Sequence, residues 1–469
     1  MIKGTQNSIR SRHIGNLTGS AIVETDRHTV QMPIFAAMKN NRIAFQTFGC
    51  KLNFAETSAI ARKFTASGYE IVNFSEEADY YVIHSCTVTS QAEKKTRAAI
   101  RQASRKNPEA SVAVIGCYSQ LRPEEIHKIN GVDIILGNSD KYRLPEYIAG
   151  LRKYKAERNP APSMPTDFEP GFSMGDRTRS FFKVQDGCDY FCTYCAIPFA
   201  RGRSRSATIA STLQVAQQIA SSEVKEIVLT GVNIGDFGRR NGENFTELLK
   251  ALGQLEGIER IRISSVEPEL LKDEIITLVA QNRRFMPHFH IPLQSGTDRI
   301  LELMKRKYKR EVFADRVNTI KMMMPDACIA ADVITGFPGE TEEDFRQTVD
   351  FIESLPVSYL HVFTYSKRPG TRAALLEEQV PEAIKQERSR LLHQLSERKK
   401  ELFYNENRGS HQLVLWESSM HKGFMNGFTG NYIHCKKPFD KNSVNQIESV
   451  TLLEPDKDGM FTVKVNDQL

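Results

Sequence analysis

"SFFKVQDGCDYFCTYCAIPFARGRSR" occupies residues 180–205. It opens as an apolar strand, breaks at Asp186-Gly187, and then sets Cys188, Cys192 and Cys195 at C-x3-C-x2-C spacing. The text around it decides the fold. Between about residues 179 and 375 a strand-then-helix rhythm occurs six times, with candidate strands at 180–185, 226–232, 260–266, 288–293, 329–337 and 359–365. Each strand runs into small or polar residues. Parallel strands with polar loops at their carboxyl ends describe a TIM-type barrel whose chemistry sits at that end. Six units are two short of a closed ring, so the expectation is an open (β/α)6 partial barrel with the cysteine loop at its mouth.

Upstream, over residues 42–150, short apolar runs again alternate with helical stretches, which predicts a parallel α/β sheet. Four of the runs are "RIAFQTFGC", "YYVIHSC", "SVAVIGC" and "VDIILGN". The first helix is expected to open at Asn53, with Glu56 completing a capping box and Gly68 at its exit. Cys50, Cys86 and Cys117 each end a strand. Ligands bind along the carboxyl edge of an open parallel sheet, so the three thiols predict a second three-cysteine site. Three buried core thiols are the plainer alternative. Residues 151–178 hold Pro160, Pro162, Pro165 and Pro170 and read as a linker with little to form a core. Residues 1–41 have no clear period and read as an extension.

Downstream of a charged helix at 381–403, residues 406–469 read as a small all-β, OB-like module, with Asp458-Gly459 as a hairpin signal. From Gly409 onward it carries 6 lysines, no arginine and 7 acidic residues, so its charge gives no support to nucleic-acid binding. Phe428 and Tyr432 suit either base stacking or a core.

The 469 residues are 40% hydrophobic and 26% charged, the make-up of an ordinary globular protein, and contain no run of eighteen apolar residues. A cytoplasmic protein with no membrane association is expected. Its eight cysteines then read as ligands before disulfides. Three thiolates on a four-iron, four-sulfur cluster leave one iron free for a substrate or cofactor. S-adenosylmethionine, with an amino and a carboxylate group, would fill that position. Zinc or chance spacing is the alternative, but "AIPFARGRSRS" supplies no fourth ligand for a closed zinc site. Positive charge at Arg201, Arg203 and Arg205 can hold an RNA backbone. The "KRKYKR" run from Lys305 reads as a solvated face, and Cys328 and Cys435 as ordinary thiols.

The three-cysteine loop after the first strand of an open barrel resembles the radical S-adenosylmethionine superfamily. "FGCKLN", the upstream "SC" and "GC", and "QDGCDYFCTYCAIPFARGRSRS" resemble the methylthiotransferases more narrowly, and within them the branch acting on threonylcarbamoyl-adenosine of tRNA. The resemblance spans about residues 42–469. It implies a C-terminal TRAM domain and two 4Fe-4S clusters, one on Cys188, Cys192 and Cys195 and an auxiliary one on Cys50, Cys86 and Cys117. It also implies two S-adenosylmethionine molecules per turnover, tRNA as substrate, an electron donor such as flavodoxin, and a sulfur donor. Tyr194, Thr230, Gly231, Glu267, Gln294 and Asp332 match the S-adenosylmethionine pocket, although Glu267 and Asp332 would equally serve as helix caps. "TGVN" stands where the superfamily has glycine-glycine-glutamate. Arg201, Arg203 and Arg205 would face substrate. The rival readings are methylthiolation of isopentenyl-adenosine or of a ribosomal-protein aspartate, and a non-enzymatic iron–sulfur RNA-binding module.

Overall fold

A computed structural model describes residues 41–87, 90–153, 163–174 and 178–466. The expected extension at 1–41 therefore lies outside the described residues but for Asn41.

Five parallel strands build the first sheet: β1 (Arg42–Thr47), β2 (Glu70–Val72), β3 (Tyr80–Ser85), β4 (Ser111–Gly116) and β5 (Ile134–Leu136), in the order β2-β1-β3-β4-β5. The apolar runs form β1, β3, β4 and β5 because each buries side chains on both faces, as parallel strands between helices do. β2 is an edge strand with Glu70 and Ile71 exposed, and its weak apolar pattern gave no signal. Helices α1 (Lys51–Ala66), α2 (Ser90–Lys106), α3 (Cys117–Leu121), α4 (Pro123–His127) and α5 (Leu144–Lys153) cover the sheet.

The expected capping box is absent. α1 begins at Lys51 with Cys50 as its N-cap, so Asn53 and Glu56 fall inside the helix, where both are fully buried. Their side chains serve other partners, described below. The segment read as a linker also contributes to the core. Gly171–Phe172 forms a short strand, β6, antiparallel to β7 (Arg179–Lys183), and Phe172 packs in the main apolar cluster beneath the Arg62 guanidinium.

Beyond β7, a two-residue strand β8 (Gln185–Asp186) pairs with β9 (Arg205–Ser206) and closes the cysteine loop at its base, with α6 (Ile197–Arg201) between them. The remaining barrel strands are β10 (Glu226–Thr230), β11 (Arg260–Ile263), β12 (His288–Gln294), β13 (Cys328–Thr335) and β14 (Tyr359–Thr364). They run parallel in two sheets, β11-β10-β7 and β12-β13-β14, joined by single bridges at Ile261–Phe285 and Ser265–His290. Six parallel strands without closure make the open partial barrel. Helices α7 (Ile209–Ala220), α8 (Phe245–Leu252), α9 (Asp273–Gln281), α10 (Asp298–Leu303), α11 (Arg310–Met323), α12 (Glu342–Ser354) and α13 (Glu382–Asn407) follow the strands in sequence. One apolar cluster fills the space between strands and helices.

The C-terminal strands β15 (His411–His421), β16 (Phe424–Thr429), β17 (His434–Pro438), β18 (Ile447–Pro455) and β19 (Phe461–Val465) close into a five-stranded barrel in the order β15-β16-β17-β19-β18. Its centre is Trp416, fully buried, whose indole N–H donates to Glu448 Oε2 at 2.8 Å. Cys328 and Cys435 are buried in the same cluster, and burial pushes both thiols up to about 12. The faces of Phe428 and Tyr432 are taken. Tyr432 stacks on His288 at 4.4 Å and on Phe428 at 4.9 Å, and Phe428 stacks on His434 at 4.6 Å. Among the described residues no helix is long and apolar enough to cross a membrane.

Candidate iron–sulfur and S-adenosylmethionine site

The loop from Gly187 to Ser204 hangs between β8 and β9. Gly187 turns the chain at φ +71°, and a Cβ there would lie 2.1 Å from the Arg203 carbonyl oxygen, so only glycine fits. Gln185 fixes the base of the loop: its Nε2 donates to the Gly187 carbonyl at 2.7 Å and to Ser204 Oγ at 3.0 Å. Its Oε1 accepts from the N–H groups of Val232 and Asn233 at 2.9 and 2.8 Å, tying the cysteine loop to the loop after β10. Sequence reading passed over Gln185; the "QDGC" motif carried it without revealing a role.

Within the loop, Cys195 N–H donates to the Cys192 carbonyl at 3.0 Å and Tyr190 N–H to Cys188 Sγ at 3.4 Å. Burial, and the negative charge each thiolate would place beside the others, push Cys188 and Cys195 up to about 12. Three thiols so arranged become anions only around a cation. The donor set fits a cluster held by three thiolates.

Arg306 reaches this site from the "KRKYKR" run. Its side chain is only 3% exposed, with Nη1 3.2 Å from Cys192 Sγ and 3.4 Å from the Tyr194 hydroxyl, and Nη2 on Glu267. The expectation of a solvated face fails at this residue, whereas Lys305, Lys307 and Lys309 are exposed. Glu267 is pushed up to about 7, by burial against the pull of Arg306. Glu267 does stand at the N-cap of a short 3-10 turn, Pro268–Leu270, but through its backbone carbonyl, its side chain making no capping hydrogen bond. The helix-cap alternative fails for Asp332, which lies within β13, where its Oδ1 is 2.6 Å from His290 Nε2. Glu267 shares the electrostatic surroundings of Cys188, Cys192 and Cys195 and of Asp332, while Thr230 and Gln294 stand at the carboxyl ends of β10 and β12, with Gly231 next after Thr230. Gln294 is held at φ +65° with its Oε1 buried and without a partner, a conformation that costs energy and is typical of ligand sites. Tyr194 meets Phe337 edge-on at 6.4 Å.

The second triad lies at the carboxyl edge of the first sheet, on the adjacent strands β1, β3 and β4. A Cβ on Gly49 (φ +102°) would sit 2.7 Å from Cys86 Cβ, which leaves glycine as the residue that lets the Cys50 turn close onto Cys86. Asn53 Oδ1 is 3.8 Å from Cys50 Sγ, and Asn138 Nδ2 is 3.5 Å from Cys117 Sγ. Although Cys50 is exposed at the surface, the protein crowded around it raises its thiol, against the downward pull of Arg201.

Arg201 and Arg205 do not face solvent. Arg201 Nη1 meets Glu56 Oε1 and Asp186 Oδ1, both at 3.0 Å, and Nη2 donates to Asn53 Oδ1 at 2.6 Å. Arg205 Nη2 lies 3.0 Å from Asp186 Oδ2. A buried guanidinium satisfied by carboxylates has nothing left for phosphate, so the substrate role expected of these two is corrected. Arg203 is 68% exposed, 4.0 Å from Asp189, and of the three it alone stays available to a polyanion. Lys141 Nζ at 2.6 Å and Lys183 Nζ at 2.8 Å complete the shell of Glu56. Two buried carboxylates thus stand against four cations. The surplus positive charge lies beside Cys50 and Cys117, where thiolates would use it. This network joins the first sheet to the base of the other cysteine loop.

Two family models match: an uncharacterised protein family, UPF0004, over residues 42–137, and the radical SAM superfamily over residues 182–352. The chain is 40% identical over 445 residues to the threonylcarbamoyladenosine tRNA methylthiotransferase MtaB of Bacillus subtilis, covering 91% of this chain and 98% of the relative. The chain belongs to the radical S-adenosylmethionine tRNA methylthiotransferases. As a member of that family it is a transferase working with an iron–sulfur cluster and S-adenosylmethionine. The MtaB of Thermotoga maritima is 36% identical, over 92% of this chain and 98% of the relative. A tRNA-2-methylthio-N(6)-dimethylallyladenosine synthase of Alkaliphilus oremlandii is 33% identical, over 78% and 80%. In fold, the methylthiotransferase resembles the radical S-adenosylmethionine methyltransferase TsrM of Kitasatospora setae, with a TM-score of 0.55, 13% identity, and coverage of 81% of this chain and 79% of that one.

Proposed function

We propose that the protein inserts a methylthio group at position 2 of threonylcarbamoyl-adenosine next to the anticodon of tRNA, using two 4Fe-4S clusters and two S-adenosylmethionine molecules per turnover. The observation that carries this reading is the pair of three-cysteine sites fixed to one another through Glu56, Arg201 and Asp186. The relatives named for threonylcarbamoyl-adenosine, matched over nearly their whole length, support the choice of substrate.

The hydrogen on adenine C2 is not acidic, so no side-chain base removes it at a useful rate. S-adenosylmethionine bound to a cluster would supply radical chemistry for that step, and a second S-adenosylmethionine would supply the methyl group of the product. The chain's part is to hold and orient. Cys188, Cys192 and Cys195 would hold the cluster that engages S-adenosylmethionine, with Arg306 against Cys192. Gln185 locks the loop after β10 in register with the cysteine loop. Thr230, Gly231, Tyr194, Glu267 and Gln294 line the mouth where the cofactor's amino acid and adenine ends would lie. Cys50, Cys86 and Cys117 would hold the auxiliary cluster, its negative charge balanced by the cations around Glu56. An electron donor such as flavodoxin and a sulfur donor complete the reaction, and Arg203 meets the RNA backbone.

Nucleoside mass spectrometry of tRNA from cells lacking the protein is the test. Loss of the methylthio derivative of threonylcarbamoyl-adenosine alone is expected. Loss of the isopentenyl derivative instead, or of a modified ribosomal-protein aspartate, overturns the substrate. Reconstituted protein should bind about eight irons. Alanine at Cys188, Cys192 and Cys195 should halve the iron and abolish S-adenosylmethionine cleavage; alanine at Cys50, Cys86 and Cys117 should halve the iron and spare cleavage.

A further inference from the structure

α6 runs from one cysteine triad to the other. It begins two residues after Cys195 and packs against α3, whose first residue is Cys117. Its Ala200 carbonyl accepts from Asn138 Nδ2 at 2.9 Å, and the same Nδ2 is 3.5 Å from Cys117 Sγ. Phe199, just before Ala200, is 46% exposed. Its ring meets that of Phe191, 42% exposed, at 6.0 Å in a T-shaped arrangement. Phe191 lies between Cys188 and Cys192 and is held at φ +51°. Among the described residues no other ring pair has both members exposed.

Two apolar rings side by side in water, one of them on a backbone conformation unfavourable for a bulky side chain, cost the free protein stability. Such costs persist at ligand sites. The surroundings give the ligand's chemistry. Exposed Arg203 stands 4.0 Å from Asp189, and Asp189 is two residues from Phe191, a span of at most about 7 Å. A cation beside two open rings suits single-stranded nucleic acid, whose bases stack on the rings while a phosphate meets the guanidinium. The stacked rings of the C-terminal barrel cannot serve in this way, because their faces are already filled.

We propose that Phe191 and Phe199 form a stacking platform for one base flanking the target adenosine in the anticodon loop, with Arg203 on the adjoining phosphate. The proposal rests on the tRNA reading above. An adenine that presents C2 between the two triads must leave the stack of its loop, which strips a neighbouring base of its partner. The ring pair, at the junction of the two triads, replaces that partner.

The test measures coupling between ring and base. Three synthetic anticodon stem-loops carry threonylcarbamoyl-adenosine: one intact, one with an abasic residue on its 5′ side, and one with an abasic residue on its 3′ side. Binding to the anaerobically reconstituted full chain is read by fluorescence anisotropy, and turnover by nucleoside mass spectrometry. Phe199→Ala should weaken binding of the intact RNA by about fivefold to a hundredfold, the range of one base–aromatic stack, with iron content unchanged. Phe199→Tyr should keep wild-type affinity. Phe199→Leu, which retains apolar bulk but has no ring face, should bind weakly, and it replaces the alanine variant should that one lose iron. On one of the two abasic RNAs, wild type and Phe199→Ala should bind alike. The salt dependence should stay as in wild type for the Phe199 variants and become shallower by about one phosphate in Arg203→Gln. Equal loss on all three RNAs overturns the proposal, as does full affinity in Phe199→Leu. Unchanged RNA affinity in Phe199→Ala, with turnover lost under flavodoxin and restored by dithionite, assigns the rings to the electron donor and also overturns it. Coupling on RNA that the wild-type protein does not methylthiolate supports the platform and overturns the functional reading instead.

Discussion

Glu56 shows how far a single side chain departs from its local context. Burial alone would raise its carboxyl, but Arg201, Lys141 and Lys183 hold it well below the usual carboxylate range. A carboxylate depressed in the folded state contributes stability that is complete above its unfolded pKa and is lost as pH falls through its folded one. The acid limb of unfolding, starting near pH 4.5, should therefore flatten in Glu56→Gln. At neutral pH the same substitution leaves buried cations uncompensated and should cost about 3–5 kcal/mol, read from urea unfolding of the full chain. Arg306 acts on the other triad. Removing its charge from beside Cys192 in Arg306→Gln should lower the midpoint potential of the cluster there by tens of millivolts, measured by EPR-monitored titration, with iron content retained. Neither role was legible in the sequence. Asn53 and Glu56 have the spacing of a capping box, and the ion-pair partners that override it lie 85 to 145 residues away. Local pattern cannot carry a contact at that separation. The cysteines were legible because their spacing and strand-end positions are themselves local.

At the level of elements, the alternation of strand and helix was readable wherever strands are buried on both faces, and failed where they are short or at an edge. β2 has three residues, two of them exposed; β6 has two, within proline-rich text. The β8–β9 pair is equally short, yet it sets the geometry of the cysteine loop. Gly187→Ala would force a Cβ against the Arg203 carbonyl at a positive φ. The expected outcome is loss of about half the iron, with β-sheet content by circular dichroism unchanged; full iron with wild-type S-adenosylmethionine cleavage would show that the loop shifts to accommodate the methyl group.

For the whole molecule, the C-terminal barrel is attached to the partial barrel by a column of rings, His288, Tyr432, Phe428 and His434, with Arg179 over Phe428 and Arg262 over Tyr432. Aromatic pairs are worth about 0.5–1.5 kcal/mol each beyond area burial. Tyr432→Ala removes two of the three and should open the connection after α13 to limited proteolysis while leaving both iron sites filled. The sequence offered these rings as either base-stacking or core residues, because composition cannot tell which partner fills a ring face. The Glu56 network has a different consequence, in time instead of space. On the ribosome Glu56 is made long before Lys183 and Arg201, so the emerging first sheet carries a buried carboxylate with Lys141 as its one early counter-charge and two still unwritten. Its thiol-bearing edge can settle fully only after the base of the second cysteine loop, at β9, has been synthesised, which defers iron loading at the first site until that loop has emerged.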